Sequence, residues 1–207
     1  MTGTVPDLEE VPLHVRTIEY RAFQATDSLT VVGRLRDSRP WAVDGSSVER
    51  VHDMELTVSV RLEDLTIVAS EAVMHTFPHT ECPGILAAFR GLVGLQVGRG
   101  YTRQVQQLFG GPKGCTHLEH LARSLGPVVV QAVTSNRALA VARGEADDLI
   151  SGTSSPWARN SCHIWAEGGV ADQKLAAGWH PGVGPYPSES LESLLSLPRT
   201  PPGSVSE

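Results

Sequence analysis

The sequence has 207 residues, which is enough for one domain that buries an apolar core without disulfides or a structural metal. Hydrophobic residues make up 41% of the chain and charged residues 19%, a balance typical of globular proteins rather than disordered or fibrous ones. There are 17 Lys and Arg against 23 Asp and Glu, and the net charge of −6 argues against nucleic acid as a partner.

Membrane and secretion signals are missing from the sequence. No stretch approaches the roughly 20 apolar residues of a membrane-spanning helix, so no membrane association is expected. The first 12 residues show neither the basic nor the apolar region of a signal peptide, and a cytoplasmic location is therefore expected. In that compartment the three cysteines are expected to stay reduced.

The first 80 residues predict β-strands. Residues 16–25, 28–36 and 51–60 are rich in Val, Ile, Thr and Tyr and alternate with period two, and residues 66–74 complete a hairpin with the third strand. The alternation places His52 at the start of the core face of the third strand. These segments predict an antiparallel sheet of three to five strands.

Helical patterns replace the strand patterns after Pro78. Residues 82–92 and 99–108 predict two short helices, and apolar residues at helical spacing predict a long helix from Thr116 to about residue 143. Thr116 and Glu119 have the spacing of a capping box at the start of that helix. A block of antiparallel strands followed by a block of helices predicts the α+β fold class.

Two regions are predicted along the chain. Residues 1–178 are expected to form a single α+β domain, and residues 179–207 a tail rich in Pro, Ser and Gly. A short amphipathic helix is possible at residues 188–197. Its leucines, Leu191, Leu194 and Leu195, would dock onto the domain or onto a second subunit, so a homo-oligomer is one of the expected arrangements.

Cys115 is the residue with the strongest local argument for chemistry. It directly precedes the long helix, where the positive end of the helix dipole favours a thiolate, and His117 lies in the first turn. Cys82 precedes Pro83 at another predicted helix start, and the same argument applies there. The alternative for both cysteines is a purely structural role in the core, where small thiols are often buried.

A wider set of cysteines and histidines lies at element boundaries or on core faces. Such residues are the ligands that zinc or iron prefers, but no pair has the CxxC spacing of a local metal knuckle, so the fold would have to assemble any metal site. A cysteine nucleophile with a histidine base is equally allowed by these residue types. The set comprises Cys82, Cys115, Cys162, His52, His117 and His163.

The segment at residues 110–132, GGPKGCTHLEHLARSLGPVVVQA, resembles a bacterial family known only as domain of unknown function 2889. The resemblance extends over about residues 12–167, and all three cysteines fall on positions that the family pattern uses. His120 stands where the family usually has an acidic residue. Further matching segments are His14-Val-Arg16, His52-Asp53-Met54, the corner from Pro78 to Cys82, and Cys162-His163.

The order of elements is also similar to that of iron–sulfur cluster assembly scaffolds. In those proteins antiparallel strands are followed by helices that open with cysteine and with a Cys/His pair. The similarity implies that three cysteines and a histidine gather at one end of the sheet. The glycine-rich first cysteine loop of the scaffolds is missing from this sequence.

These observations lead to three functional hypotheses. The first is a small cytoplasmic enzyme that acts on a small acidic or aromatic organic metabolite, with Cys115, His117, His52 and Arg103 as catalytic residues. Arg103 would hold an acidic group of the substrate. The second is a metal or sulfur carrier that binds zinc or iron, and the third is a ligand-binding module.

Overall fold

A computed structural model of the chain describes residues 11–42, 49–145, 159–179 and 186–196. The described residues fall into two compact units, divided between Val133 and Thr134. The proposed boundary between a domain at 1–178 and a tail at 179–207 stays a prediction, and residues 180–185 and 197–207 of that tail lie outside the described residues.

The first unit is built on a four-stranded antiparallel sheet in the order β1-β2-β3-β4. The strands are β1 (Val15–Gln24), β2 (Ser28–Ser38), β3 (Arg50–Arg61) and β4 (Ile67–Thr76), so each predicted strand is confirmed. The antiparallel α+β fold class is confirmed with them. The predicted second strand ended at residue 36, whereas β2 continues for two more residues and includes Asp37.

One face of the sheet carries the hydrophobic core, as the period-two pattern predicts. Buried aliphatic residues of β2 and β3 alternate with less buried ones and pack with residues of the helices in one cluster. The strand residues of this core include Leu29, Val31, Leu35, Met54, Leu56, Val58 and Val60. The opposite face is charged, and there Arg34 donates two hydrogen bonds of 2.7 and 2.8 Å to Asp53.

Helical segments follow β4 in the first unit. Cys82–Leu92 forms the first predicted short helix as a 3₁₀ helix, and its Gly84 and Gly91 disfavour the α conformation. It is followed by α1 (Tyr101–Phe109) and α2 (Thr116–Ala142), which contains Pro127. Among the described helices, none is long and apolar enough to cross a membrane.

Two tyrosines fasten α2 to the rest of the first unit. The Tyr20 hydroxyl donates a hydrogen bond of 2.8 Å to the Leu121 carbonyl, and the Tyr101 hydroxyl donates one of 3.0 Å to the Ala122 carbonyl. Burial raises the pKa of Tyr20 to about 12, so this hydroxyl keeps its proton at neutral pH. The start of α2 is thereby held over the core face of the sheet.

The second unit contains α3 (Val170–Ala176) and α4 (Leu191–Ser196), and α4 lies within the predicted helix at 188–197. The Lys174 ammonium of α3 donates hydrogen bonds to the Ser188 hydroxyl and to the Glu189 carbonyl. It also lies 5.6 Å from the centre of the Trp179 ring. The segment that leads into α4 is therefore tied to α3 by polar contacts, while Leu195 is exposed.

We expect Gly33→Ala to destabilise the protein because Tyr20 occupies the space that a side chain would need. Tyr20 faces Gly33 across β1 and β2, and a Cβ atom at Gly33 would lie 2.6 Å from the Tyr20 ring. Relief of this overlap would cost about 1–3 kcal/mol of unfolding free energy, measured by urea denaturation. Gly84→Ala is the control, since a Cβ there meets nothing within 4 Å. Equal stabilities of the two variants would contradict this account.

Candidate functional site

A buried carboxylate is the centre of the candidate site. Asp37 lies near the end of β2 on the core face and is 1% exposed. Arg16 donates two hydrogen bonds to it, each of 2.7 Å, one to each oxygen. The imidazoles of His14 and His52 contact the same carboxylate at 3.1 and 3.0 Å. His117 approaches from α2, with its Nε2 3.4 Å from Asp37 Oδ2.

The register of the sheet explains why these residues meet. Arg16 lies opposite Asp37 across β1 and β2, and His52 lies opposite Asp37 across β2 and β3. Residues directly opposite in antiparallel strands point to the same face, so all three side chains extend from the core side. The first turn of α2 brings His117 to this end of the sheet.

The electrostatics of Asp37 combine burial with strong compensation. Burial alone raises the pKa of a carboxyl, but the hydrogen bonds and charge of Arg16, aided by His14 and His52, outweigh it. The pKa of Asp37 is consequently held well below its usual range, and the group is an anion at neutral pH. An ionised carboxylate only accepts hydrogen bonds, so it orients the rings around it.

The rings of His52 and His117 contact each other in a tilted arrangement beside this anion. Their ring centres are 3.8 Å apart with an interplanar angle of 33°. Burial lowers the pKa of His117 to about 4, helped by the positive potential of His52 and opposed by Asp37. The His117 ring is therefore neutral at neutral pH. With its Nε2 facing an acceptor-only carboxylate, the single ring proton belongs on Nε2, and Nδ1 carries a free lone pair.

That lone pair faces a thiol. Cys115 Sγ lies 3.7 Å from His117 Nδ1, and both side chains are partly buried. The Glu119 amide donates a 2.8 Å hydrogen bond to the Cys115 carbonyl, so Cys115 is itself the N-cap residue of α2. The helix thus starts one residue earlier than the Thr116/Glu119 capping-box pattern predicted. This places the sulfur closer to the positive end of the helix dipole.

The structure brings together three of the residues singled out from the sequence, namely His52, Cys115 and His117. Cys82 begins the 3₁₀ helix and packs against the hydrophobic core, and no hydrogen bond or ion pair of the described residues joins it to the cluster. Arg103 is exposed on α1. Its role toward a substrate stays a prediction.

Cys162 and His163 lie in the second unit, and both are exposed. Of the described Cys, His, Asp and Glu residues, the group whose possible ligand atoms all lie within 4.8 Å of one another consists of Asp37, His52 and His117. Ligation of a metal by Cys82, Cys162 or His163 stays a prediction.

Sequence reasoning missed Asp37, Arg16 and His14 as site residues. A signal for Asp37 was present, because it continues the period-two series of buried β2 positions as an acidic residue on an apolar face. The predicted strand ended one residue before it. Arg16 and His14 were noted only as a segment that matches the family, because their role at the site depends on the cross-strand register.

The comparisons with known proteins concern the same part of the chain. A family model described as "Protein of unknown function (DUF2889)" matches residues 14–131, which is more than half of the chain. The chain belongs to this family. The match includes Arg16, Asp37, His52, Cys115 and His117, so the whole candidate site lies within the family region.

A search of the curated proteins and a search of the solved structures found no match. The family resemblance expected from the sequence is thus confirmed by the family model. The similarity to iron–sulfur assembly scaffolds stays a prediction.

The pKa of His117 predicts how the stability of the metal-free protein depends on pH. In the unfolded chain His117 binds a proton near pH 6.5, whereas in the folded protein it does so only near pH 4. Protonation of His117 between these pH values therefore favours unfolding. We expect the unfolding free energy to fall as the pH is lowered from about 6.5 to 4.5, and to fall less in His117→Asn.

Urea denaturation at several pH values in the presence of a chelator measures this effect. Asp37 stays ionised in both folded and unfolded states over most of this range, so its titration contributes little. His79→Asn, at an exposed histidine, is the matched control and should keep the wild-type pH dependence. If the unfolding free energies of the two variants depend on pH in the same way, the lowered pKa of His117 is not the cause of the loss of stability in acid.

Proposed function

We propose that the protein is an enzyme that uses the Cys115 thiol as a nucleophile toward a small organic substrate carrying an acyl group. The observation that carries this proposal is that His117 lies between Cys115 and Asp37. Its Nδ1 is 3.7 Å from Cys115 Sγ, and its Nε2 is 3.4 Å from Asp37 Oδ2. A nucleophile within reach of a base that is itself oriented by a third group is the arrangement that acyl-transfer enzymes share on unrelated folds.

In this proposal each group has one task. As the Cys115 sulfur attacks the acyl carbon, its proton passes to His117 Nδ1, and Asp37 accepts the hydrogen bond from Nε2–H. The imidazolium then returns the proton to the leaving group, and an acyl thioester remains on Cys115. Water, deprotonated by the same imidazole, hydrolyses this intermediate and restores the thiol.

The surroundings of the triad support a small substrate that enters from one side. The His14 side chain is 49% exposed and that of His52 only 17%, so the cluster is more open on the side of β1. The Trp41 side chain is partly exposed, and its indole N–H donates a 3.0 Å hydrogen bond to the carbonyl of Leu13, the residue before His14. An aromatic substrate fits this combination of an exposed indole with the exposed imidazole of His14.

We expect alkylation by iodoacetamide to be fastest at Cys115 and to depend on its two partners. His117→Asn and Asp37→Asn should each lower the alkylation rate of Cys115 at least about tenfold, since the sulfur loses its base or the base its orientation. Site-resolved mass spectrometry follows Cys82 and Cys162 in the same samples, and their rates should not change. Slow labelling of Cys115 in the folded wild-type protein would oppose a nucleophilic role.

Turnover gives the direct test. With a panel of small aromatic and acidic esters and thioesters, Cys115→Ser should lower the hydrolysis rate about 100-fold or more, while Cys82→Ser retains it. An acyl adduct on Cys115 should be trapped at low pH and detected by its mass. Retained hydrolysis in Cys115→Ser, or an adduct on another residue, would contradict the assignment of Cys115.

A second candidate function, the binding of zinc or iron, is favoured by the closeness of the possible ligand atoms in Asp37, His52 and His117. Arg16 already occupies both oxygens of Asp37. The carboxylate would therefore orient the two rings, and the ring nitrogens of His52 and His117 that face away from Asp37 would bind the metal, as in carboxylate–histidine–metal arrangements. The protein would then be a metalloenzyme or a metal carrier.

Metal binding is tested on the purified full chain by titration with Zn²⁺ and, without oxygen, Fe²⁺ against a chromophoric chelator. For this candidate we expect one ion per chain, and a loss of affinity of about 10–100-fold or more in His52→Ala and in His117→Ala. His79→Ala, at an exposed histidine outside the cluster, is the control. Bound metal should also protect Cys115 from iodoacetamide. Absence of stoichiometric binding would leave the thiol mechanism as the function of the cluster.

A further inference from the structure

β1 forms one edge of the sheet, and most of its residues are exposed. β1 pairs with β2 alone in the strand order, and its ten residues follow a regular register without a bulge. Eight of its ten residues are exposed, including Phe23 at 52%. Within the described residues, no backbone hydrogen bond links the free side of β1 to another segment.

Such an edge is a template for another strand, and natural proteins usually protect it with proline, lysine, a bulge or a covering segment. β1 contains neither proline nor lysine. Its one inward-facing charge, Arg16, is neutralised by Asp37 and so does not oppose pairing. The edge keeps its full capacity to accept a partner strand.

We propose that β1 pairs with β1 of a second copy of this chain, antiparallel and about a two-fold axis at Tyr20, to form a continuous eight-stranded sheet. A two-fold interface needs a surface that is complementary to itself. On the outer face of β1, Glu19 and Arg21 flank Tyr20 with opposite charges. Pairing centred on Tyr20 places Glu19 of each copy opposite Arg21 of the other.

The charges also favour this register over the neighbouring ones. Because opposite residues must point to the same face, a symmetric pairing is centred on a residue. A centre at Glu19 or at Arg21 would place two like charges directly opposite each other, which is destabilising. Centres at Ile18 and Ala22 leave both charges opposite uncharged residues, and only the Tyr20 centre forms two opposite-charge pairs.

The present contacts of these two side chains leave them available. Arg21 Nε lies 3.2 Å from Glu19 Oε1 along the strand, and Arg36 of β2 lies 3.7 Å from Glu19 Oε2, with all three side chains partly exposed. Exposed ion pairs of this kind contribute little to stability, so exchange for pairs across the interface is not opposed. Thr17 and Phe23 also lie on the outer face, and the Tyr20-centred register brings them opposite each other.

Charge reversal and its compensation test the proposal on the full chain by sedimentation equilibrium. We expect the wild type to dimerise, Glu19→Arg and Arg21→Glu each to raise the dissociation constant about tenfold, and the double exchange to restore it to within about threefold. Glu63→Arg, at an exposed residue outside β1, is the matched control and should leave the constant unchanged.

A cross-link tests the register itself. In a variant with Cys82, Cys115 and Cys162 replaced by Ser, Thr17→Cys chains mixed with Phe23→Cys chains should form a disulfide-linked dimer, while neither chain alone should do so. A monomeric wild type at the highest soluble concentration overturns the proposal. A dimer that is insensitive to the charge exchange, or a cross-link in a different register, also overturns it.

Discussion

The structure of the site depends on the compensation of one buried negative charge. A carboxylate as deeply buried as Asp37 is stable as an anion only when cations and hydrogen-bond donors surround it. Arg16 supplies the charge and two hydrogen bonds, and the histidines supply the remaining donors. These contacts bring the ends of three strands and the start of a helix together around Asp37. A core of aliphatic residues alone would not require this arrangement.

The same anion determines what the neighbouring groups can do. It holds the ring proton of His117 on the inner nitrogen and leaves the outer lone pair facing Cys115. A lone pair in that position can accept a proton from a thiol or bind a metal ion, and both proposals therefore use the same atom. This lone pair can accept a proton or bind a metal ion, but not both at once. Protection of Cys115 from alkylation by a bound metal therefore distinguishes metal binding from the thiol mechanism.

β1 illustrates how one strand serves two environments. Its inward side supplies Arg16 to the buried carboxylate and Tyr20 to the start of α2, and the sheet register fixes both. Its outward side carries Glu19 and Arg21, which form an ion pair with each other in contact with solvent. Alternation along a strand makes this division possible, since successive side chains point to opposite faces.

The sequence by itself determined the elements of the first unit, because strands and helices have periodic apolar patterns that are local. It also identified Cys115 and His117, which are two residues apart at a helix start, and it placed His52 on the core face. It could not identify Asp37 as their partner, nor separate these residues from Cys82. Those relations join residues far apart in the chain, and only the register of the sheet and the position of α2 decide them.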